Sequence, residues 1–124
     1  MILYRPIGTK ELELIQRRGN KKFPPRLSDQ SIFYPVLNEQ YAVEIARDWN
    51  MKYNEDHKGY VTRFEIEDAY ASRFDIHVVD TFHHQELWVP ARELAEFNRH
   101  ILGEIEVILT FSEEKQAKDC DICQ

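Results

Sequence analysis

An α+β fold is predicted from three observations. Short runs of alternating apolar and polar residues crowd the second half of the chain, a few amphipathic stretches carry helix-start and helix-stop residues, and strands and helices do not alternate as they would in a doubly wound parallel sheet. About six strands and about three helices are expected. Ile2 to Pro6 reads as a short strand that stops at Pro6, because proline has no amide proton for a ladder. Thr9 to Arg18 reads as a helix: Leu12 and Ile15 share a face, Glu11 and Glu13 stand early, Arg17 and Arg18 stand late, and Gly19 ends it. Asn20 to Gln30, with Lys21, Lys22, Pro24, Pro25 and Arg26, is a basic loop in an acidic chain.

Ser31 to Leu37 is a strand-like run. Asn38 is a good N-cap for a helix from Glu39 to Asn50, whose Tyr41, Ala42, Ile45, Ala46 and Trp49 recur on one face. Met51 to Lys58 is a polar connection, and Gly59 to Ile66 alternates as a half-buried strand. Glu67 to Arg73 has room for one or two helical turns, Phe74 to Val79 is a strand, and Asp80 to His83 turns the chain. The run His84 to Pro90 is the next strand, Ala91 to Ile101 a helix stopped by Gly103, and Glu104 to Phe111 the last strand. No internal repeat is visible.

At 124 residues, 43% hydrophobic and 31% charged, the chain has the composition of one ordinary globular domain, expected over residues 1–111 with a charged, disordered tail over 112–124. No window is apolar enough to cross a membrane and no secretory signal opens the chain, so a cytoplasmic protein is expected. The net charge of −6, from 22 acidic and 16 basic residues, argues against a nucleic-acid-coating surface. Cys120 and Cys123 form a Cys-x-x-Cys in the tail, without the further ligands a zinc site needs. His77, His83 and His84 lie close in sequence, but neighbours on a strand point apart, and no metal site is expected. Four glycines rule out a glycine-rich phosphate loop, and no serine stands in a nucleophile elbow.

Glu86 is the residue that most needs a reason. Strand interiors are depleted in glutamate unless it meets water or a ligand. Glu86 either faces solvent while Leu87 and Val89 point inward, or it serves a site.

Three elements bear on that choice: Leu3-Tyr4-Arg5 in the first strand, Ser31-Ile32-Phe33-Tyr34 leading to Tyr41-Ala42, and Glu86-Leu87-Trp88-Val89-Pro90 near the end. Their order and spacing resemble those of the ADP-ribosyltransferase fold, which includes bacterial mono-ADP-ribosylating toxins, poly-ADP-ribose polymerases and the NAD-using RNA phosphotransferase. The runs Phe23-Pro24-Pro25-Arg26-Leu27 and Glu86 to Pro90 are also similar to runs in small bacterial proteins grouped with ADP-ribosylation. The resemblance covers residues 2 to 111 and implies a split antiparallel β core and NAD as substrate. It implies transfer of ADP-ribose to an unknown macromolecular acceptor, with Glu86 and Arg5 catalytic. His84 stands two residues before Glu86, where arginine-modifying members carry an acid, so arginine is not implied as acceptor.

The chemistry fits those residue types. Departure of nicotinamide leaves positive charge on the ribose carbon, so a carboxylate such as Glu86 is what the transition state needs. Arg5 can hold ribose or phosphate, and Arg26 or Arg63 the pyrophosphate. The expected nucleotide-binding set is Arg5, Tyr4, Arg26, Phe33, Tyr34 and Tyr41, with Phe33, Tyr34 and Tyr41 candidates to sandwich the nicotinamide. Each has a plainer alternative: Arg5 paired with a carboxylate at the core edge, Arg26 solvated in its loop, the aromatics in the core. Trp49 and Trp88 are assigned to the core or a surface contact. A non-catalytic binding module on the same fold, recognising a nucleotide or a protein partner, is the alternative function.

Overall fold

Six strands and four helices lie among the residues described by the computed structural model, which are 1–50, 52, 54–80 and 84–112. In chain order they are β1 (Ile2–Ile7), α1 (Thr9–Arg17), β2 (Ile32–Phe33), α2 (Glu39–Ile45) with a π-helical turn (Ala46–Asn50), and β3 (Lys58–Ile66). There follow α3 (Asp68–Ala71), β4 (Asp75–Val78), β5 (Gln85–Pro90) with a 3-10 turn (Ala91–Glu93), α4 (Leu94–Arg99) and β6 (Ile101–Ser112). The fold is α+β, with two antiparallel three-stranded sheets ordered β1-β3-β6 and β2-β5-β4. Among the described residues no helix is long and apolar enough to cross a membrane. The expected turn at Asp80 to His83, for the most part, and the tail with Cys120 and Cys123 lie outside the described residues.

One residue joins the two sheets. Val36 exchanges both backbone hydrogen bonds with Tyr4 of β1, at 2.9 and 2.7 Å, and bridges on its other side to Glu86 of β5. The bonds from Leu37 N–H to the Gln85 carbonyl and from Leu87 N–H to the Pro35 carbonyl flank that second bridge. The continuous strand expected over Ser31 to Leu37 is interrupted: Ile32–Phe33 and Val36 pair with β5 in one register, and between them Pro35 accepts from the Leu87 N–H but has no amide proton to return.

Proline also shapes β1, although differently from the sequence expectation. The strand does not stop at Pro6 but runs to Ile7, paired throughout with β3. Tyr4 aims its N–H and C=O toward Val36, and Pro6, two residues on, faces the same side. The amide proton that Pro6 lacks is one that β3 does not need. It is the one a continuing ladder toward Tyr34 would have used, so β1 and β2 part beyond Val36 and leave a fork.

Four phenylalanines fill the larger core. Phe23, Phe33, Phe64 and Phe97 meet in tilted and edge-on pairs with ring centroids 4.9 to 6.0 Å apart. The Asn98 side chain accepts from the Phe23 N–H and donates to its carbonyl, which ties the basic loop to α4 and so fixes where Arg26 emerges. A second cluster, Val36, Tyr41, Ala42, Ala46 and Val61, packs α2 on the junction. Asn38 caps α2 as expected, its side chain accepting from the Tyr41 N–H at 3.1 Å.

Two expectations at helix ends are corrected. The last helix ends at Arg99, and Gly103 lies inside β6 with φ of 76°. There β3 advances from Arg63 to Glu65 while β6 moves from Glu106 to Leu102, a bulge that a glycine in the left-handed region accommodates. The helix expected from Glu39 to Asn50 widens into the π turn after Ile45, which carries Trp49 off the buried face; Trp49 is 61% exposed.

Gly59 permits that turn. A Cβ at Gly59 would stand 2.5 Å from the Ala46 carbonyl oxygen and 3.1 Å from Asn50 Cβ. Gly59→Ala is expected to lower stability by about 1–3 kcal/mol through overpacking against backbone, read as a fall in the urea midpoint.

His100 gives the fold a pH dependence. Its Nδ1 bonds Glu67, its Nε2 lies 3.0 Å from Glu96, and its ring stacks 3.9 Å from Tyr70. The Glu67 hydrogen bond, aided by Glu96, holds its pKa above the ordinary histidine value. The folded state therefore binds this proton more tightly than the unfolded chain. The resulting stability is fully present below the unfolded pKa and is lost as pH rises through the raised folded value. Melting curves from about pH 5 to about pH 8.5 should show wild type most ahead of His100→Gln at the acid end, with the gap closing as pH rises.

Candidate functional site

The fork opens into a cavity of about 380 Å³. Arg5, Pro6 and Ile7 of β1 line it together with Gly8, Glu11 of α1, Arg26 and Gln30 of the basic loop, and Tyr34 and Val36 of the junction. Tyr41, Ile45, Trp49 and Asn50 from α2 and its π turn, and Glu86 from β5, complete the wall. Arg5 and Glu86, far apart in sequence, thus face one space, and each is buried, 7% and 8% exposed.

Glu86 does not face bulk solvent. Leu87 and Val89 enter the core on one face of β5, and the alternation turns Glu86 and Trp88 to the other, which α2 partly covers. Both carboxylate oxygens are held: the Tyr41 hydroxyl donates to Oε2 at 2.6 Å and the Trp88 indole N–H donates to Oε1 at 3.0 Å. A carboxylate has about four acceptor positions, so Glu86 keeps capacity for a ligand hydroxyl. Burial first, and then the bond to Glu86, push the Tyr41 phenol well above its ordinary range, which keeps it a donor. His84 stacks on the Tyr41 ring at 4.2 Å and its Nε2 lies 2.8 Å from Glu44, bracing Tyr41 from behind.

Arg5 is braced on three sides. Its Nε and Nη2 donate to Glu11 at 2.7 and 3.1 Å, and its guanidinium lies 4.7 Å from the centroid of the Phe33 ring and 6.0 Å from that of Tyr34. The carboxylate partner is Glu11, in the first turn of α1. Arg26 is different: its guanidinium sits 5.9 Å from the Tyr34 ring, but its buried Nε has no partner. Burial, and next the Arg5 cation, lower its pKa. The Asn50 Nδ2 is also buried without a partner. An orphaned buried donor costs about 1–3 kcal/mol, and both belong to residues that line the cavity.

The structure brings together Arg5, Arg26, Tyr34, Tyr41 and Glu86. Phe33 is a core residue, 1% exposed, that supports Arg5 from below rather than lining the cavity. Tyr4 is on the opposite face of β1 from Arg5 and packs on the junction cluster. Arg63 is exposed on β3 opposite Glu106, away from the cavity. Sequence reasoning missed Trp88, Glu11, Trp49 and Asn50. Trp88 was legible, since a residue two places along a strand from Glu86 shares its face; Asn50 had no such signal. Among the described residues no three His, Cys, Asp or Glu side chains are placed to hold a metal; His83 is outside them.

Set against models of protein families, against curated proteins and against solved structures, the chain matches none.

Tyr41→Phe is expected to destabilise the fold by about 1–3 kcal/mol, since it strips one donor from a buried carboxylate. Trp88→Phe should cost less, because Trp88 is more exposed; paired denaturation curves give the order.

Proposed function

We propose that the protein uses NAD as an ADP-ribosyltransferase-like enzyme, on a split antiparallel core of the kind the sequence resemblance implies. The observation that carries this reading is the convergence of Arg5 and Glu86 on one cavity walled by Tyr34, Tyr41 and Trp49. In the reaction the bond between the ribose C1′ and the nicotinamide nitrogen breaks, and nicotinamide leaves with the electron pair. A nucleophilic atom of the acceptor bonds to C1′ and gives up its proton. Glu86 accepts a hydrogen bond from a ribose hydroxyl and faces the developing positive charge, which raises rate because the interaction strengthens in the transition state. Arg26, with its unpartnered Nε, is the group best placed to take a phosphate oxygen, and Arg5 adds positive charge beside it.

One observation favours the second reading, a non-catalytic module that binds a nucleotide or a protein partner. Both groups assigned to chemistry are already engaged, Arg5 by Glu11 and Glu86 by Tyr41 and Trp88.

Calorimetric titration with NAD, joined to an assay of nicotinamide release, separates these. Saturable binding is expected in wild type, weakened about tenfold or more in Arg5→Ala, with nicotinamide release lost in Glu86→Gln. Binding without release selects the module. No heat from NAD or ADP-ribose at millimolar ligand contradicts the nucleotide site altogether.

A further inference from the structure

We propose that the π turn Ala46–Asn50 is the ring-recognition element of this cavity. Trp49 stacks on, and Asn50 donates a hydrogen bond to, a planar heteroaromatic ring that carries an acceptor. This assignment rests on the nucleotide reading above and adds to it a role for two residues that the sequence placed on a core helix face or left without a role.

Three observations converge on the turn. The first is its geometry. Tyr41, Ala42 and Ala46 are buried on the junction, and an α-helix continued at the same pitch would bring Trp49 onto that face. The wider turn rotates it away, so that its ring lies exposed at the cavity wall. π turns inside helices are frequent at functional sites. The second is the orphaned amide. Among the described residues three buried side-chain atoms have no partner, and two of them, Asn50 Nδ2 and Arg26 Nε, belong to residues that line this cavity. Both are donors, so an occupant that satisfies them brings acceptors at two places. The third is the aromatic lining. Tyr34, 43% exposed, and Trp49 are large rings on the wall of one cavity, and a ring needs a π face to stack on.

A heteroaromatic base with a ring nitrogen or carboxamide oxygen, linked to a phosphate, meets this pattern. The ring lies on Trp49, its acceptor accepts a hydrogen bond from the Asn50 amide, and a phosphate oxygen accepts one from the Arg26 Nε–H. Gly59 supports the arrangement from β3, because only a missing side chain lets the Ala46 carbonyl and Asn50 Cβ come so near. Two halves of NAD offer the chemistry, the adenine and the nicotinamide, and separate probes distinguish them.

The test is calorimetric titration of NAD, adenosine monophosphate and nicotinamide mononucleotide into the full chain and three variants. Trp49→Ala and Asn50→Asp, the second a donor replaced by an acceptor of the same size, are each expected to weaken NAD about tenfold. Trp49→Phe, which keeps a ring, should stay within about threefold of wild type; matching melting temperatures show that the variants fold. The mononucleotide whose affinity falls in parallel identifies the half that occupies the turn. If NAD binds Trp49→Ala and Asn50→Asp as it binds wild type while Arg5→Ala still weakens binding about tenfold or more, this assignment is wrong and the nucleotide site stands. Loss in one variant alone overturns the role of the other residue. If wild type binds none of the three probes, both this assignment and the nucleotide reading fall.

Discussion

The absent amide proton of Pro6 is the constraint on which the site depends. Tyr4 and Val36 exchange two hydrogen bonds, and the next pair in such an antiparallel ladder would set Pro6 opposite Tyr34. Pro6 cannot donate there. The ladder therefore runs as far as Val36 and opens. One sheet follows β1 and the other follows β2, and the backbone of the fork forms one wall of the cavity. Because the pairing on the β3 side of β1 is uninterrupted, the opening does not cost the sheet its own ladder.

Charge then distributes itself around that opening in an economical pattern. Arg5 and Arg26 bring two cations into the wall of a protein whose net charge is −6, and Glu11 and Glu86 bring two anions. Glu11 neutralises Arg5 directly, while Glu86 is held by neutral donors, Tyr41 and Trp88, rather than by a cation. A carboxylate held this way keeps its charge available to a ligand. Arg26 has no such partner at Nε, and burial beside Arg5 makes its charged form harder to hold. An anion in the cavity relieves both.

Much of this was legible in the sequence where a local rule decided the outcome. The period-2 alternation around Glu86 placed Leu87 and Val89 in the core, the Asn38 cap set the start of α2, and the apolar face of α1 buried Ile15. Local rules failed where a tertiary contact decided. Gly103 looks like a helix stop in sequence, but it serves a bulge whose need arises only from the mismatch between β3 and β6. Trp49 fits the helical repeat, and only the close approach of Gly59 to Ala46 reveals why the helix widens before reaching it. Of the expected site, Arg5, Arg26, Tyr34, Tyr41 and Glu86 converge, whereas Phe33 and Tyr4 do not. Phe33 is drawn into the phenylalanine core and Tyr4 is turned aside by strand alternation.

The most direct test is a crystal structure of the protein soaked with NAD or ADP-ribose. Density is predicted in the fork between β1 and β2, with a ribose hydroxyl within hydrogen-bond reach of Glu86 and a phosphate oxygen at the Nε of Arg26. An occupied ligand elsewhere on the surface, or a cavity that stays empty at saturating nucleotide, would contradict the account.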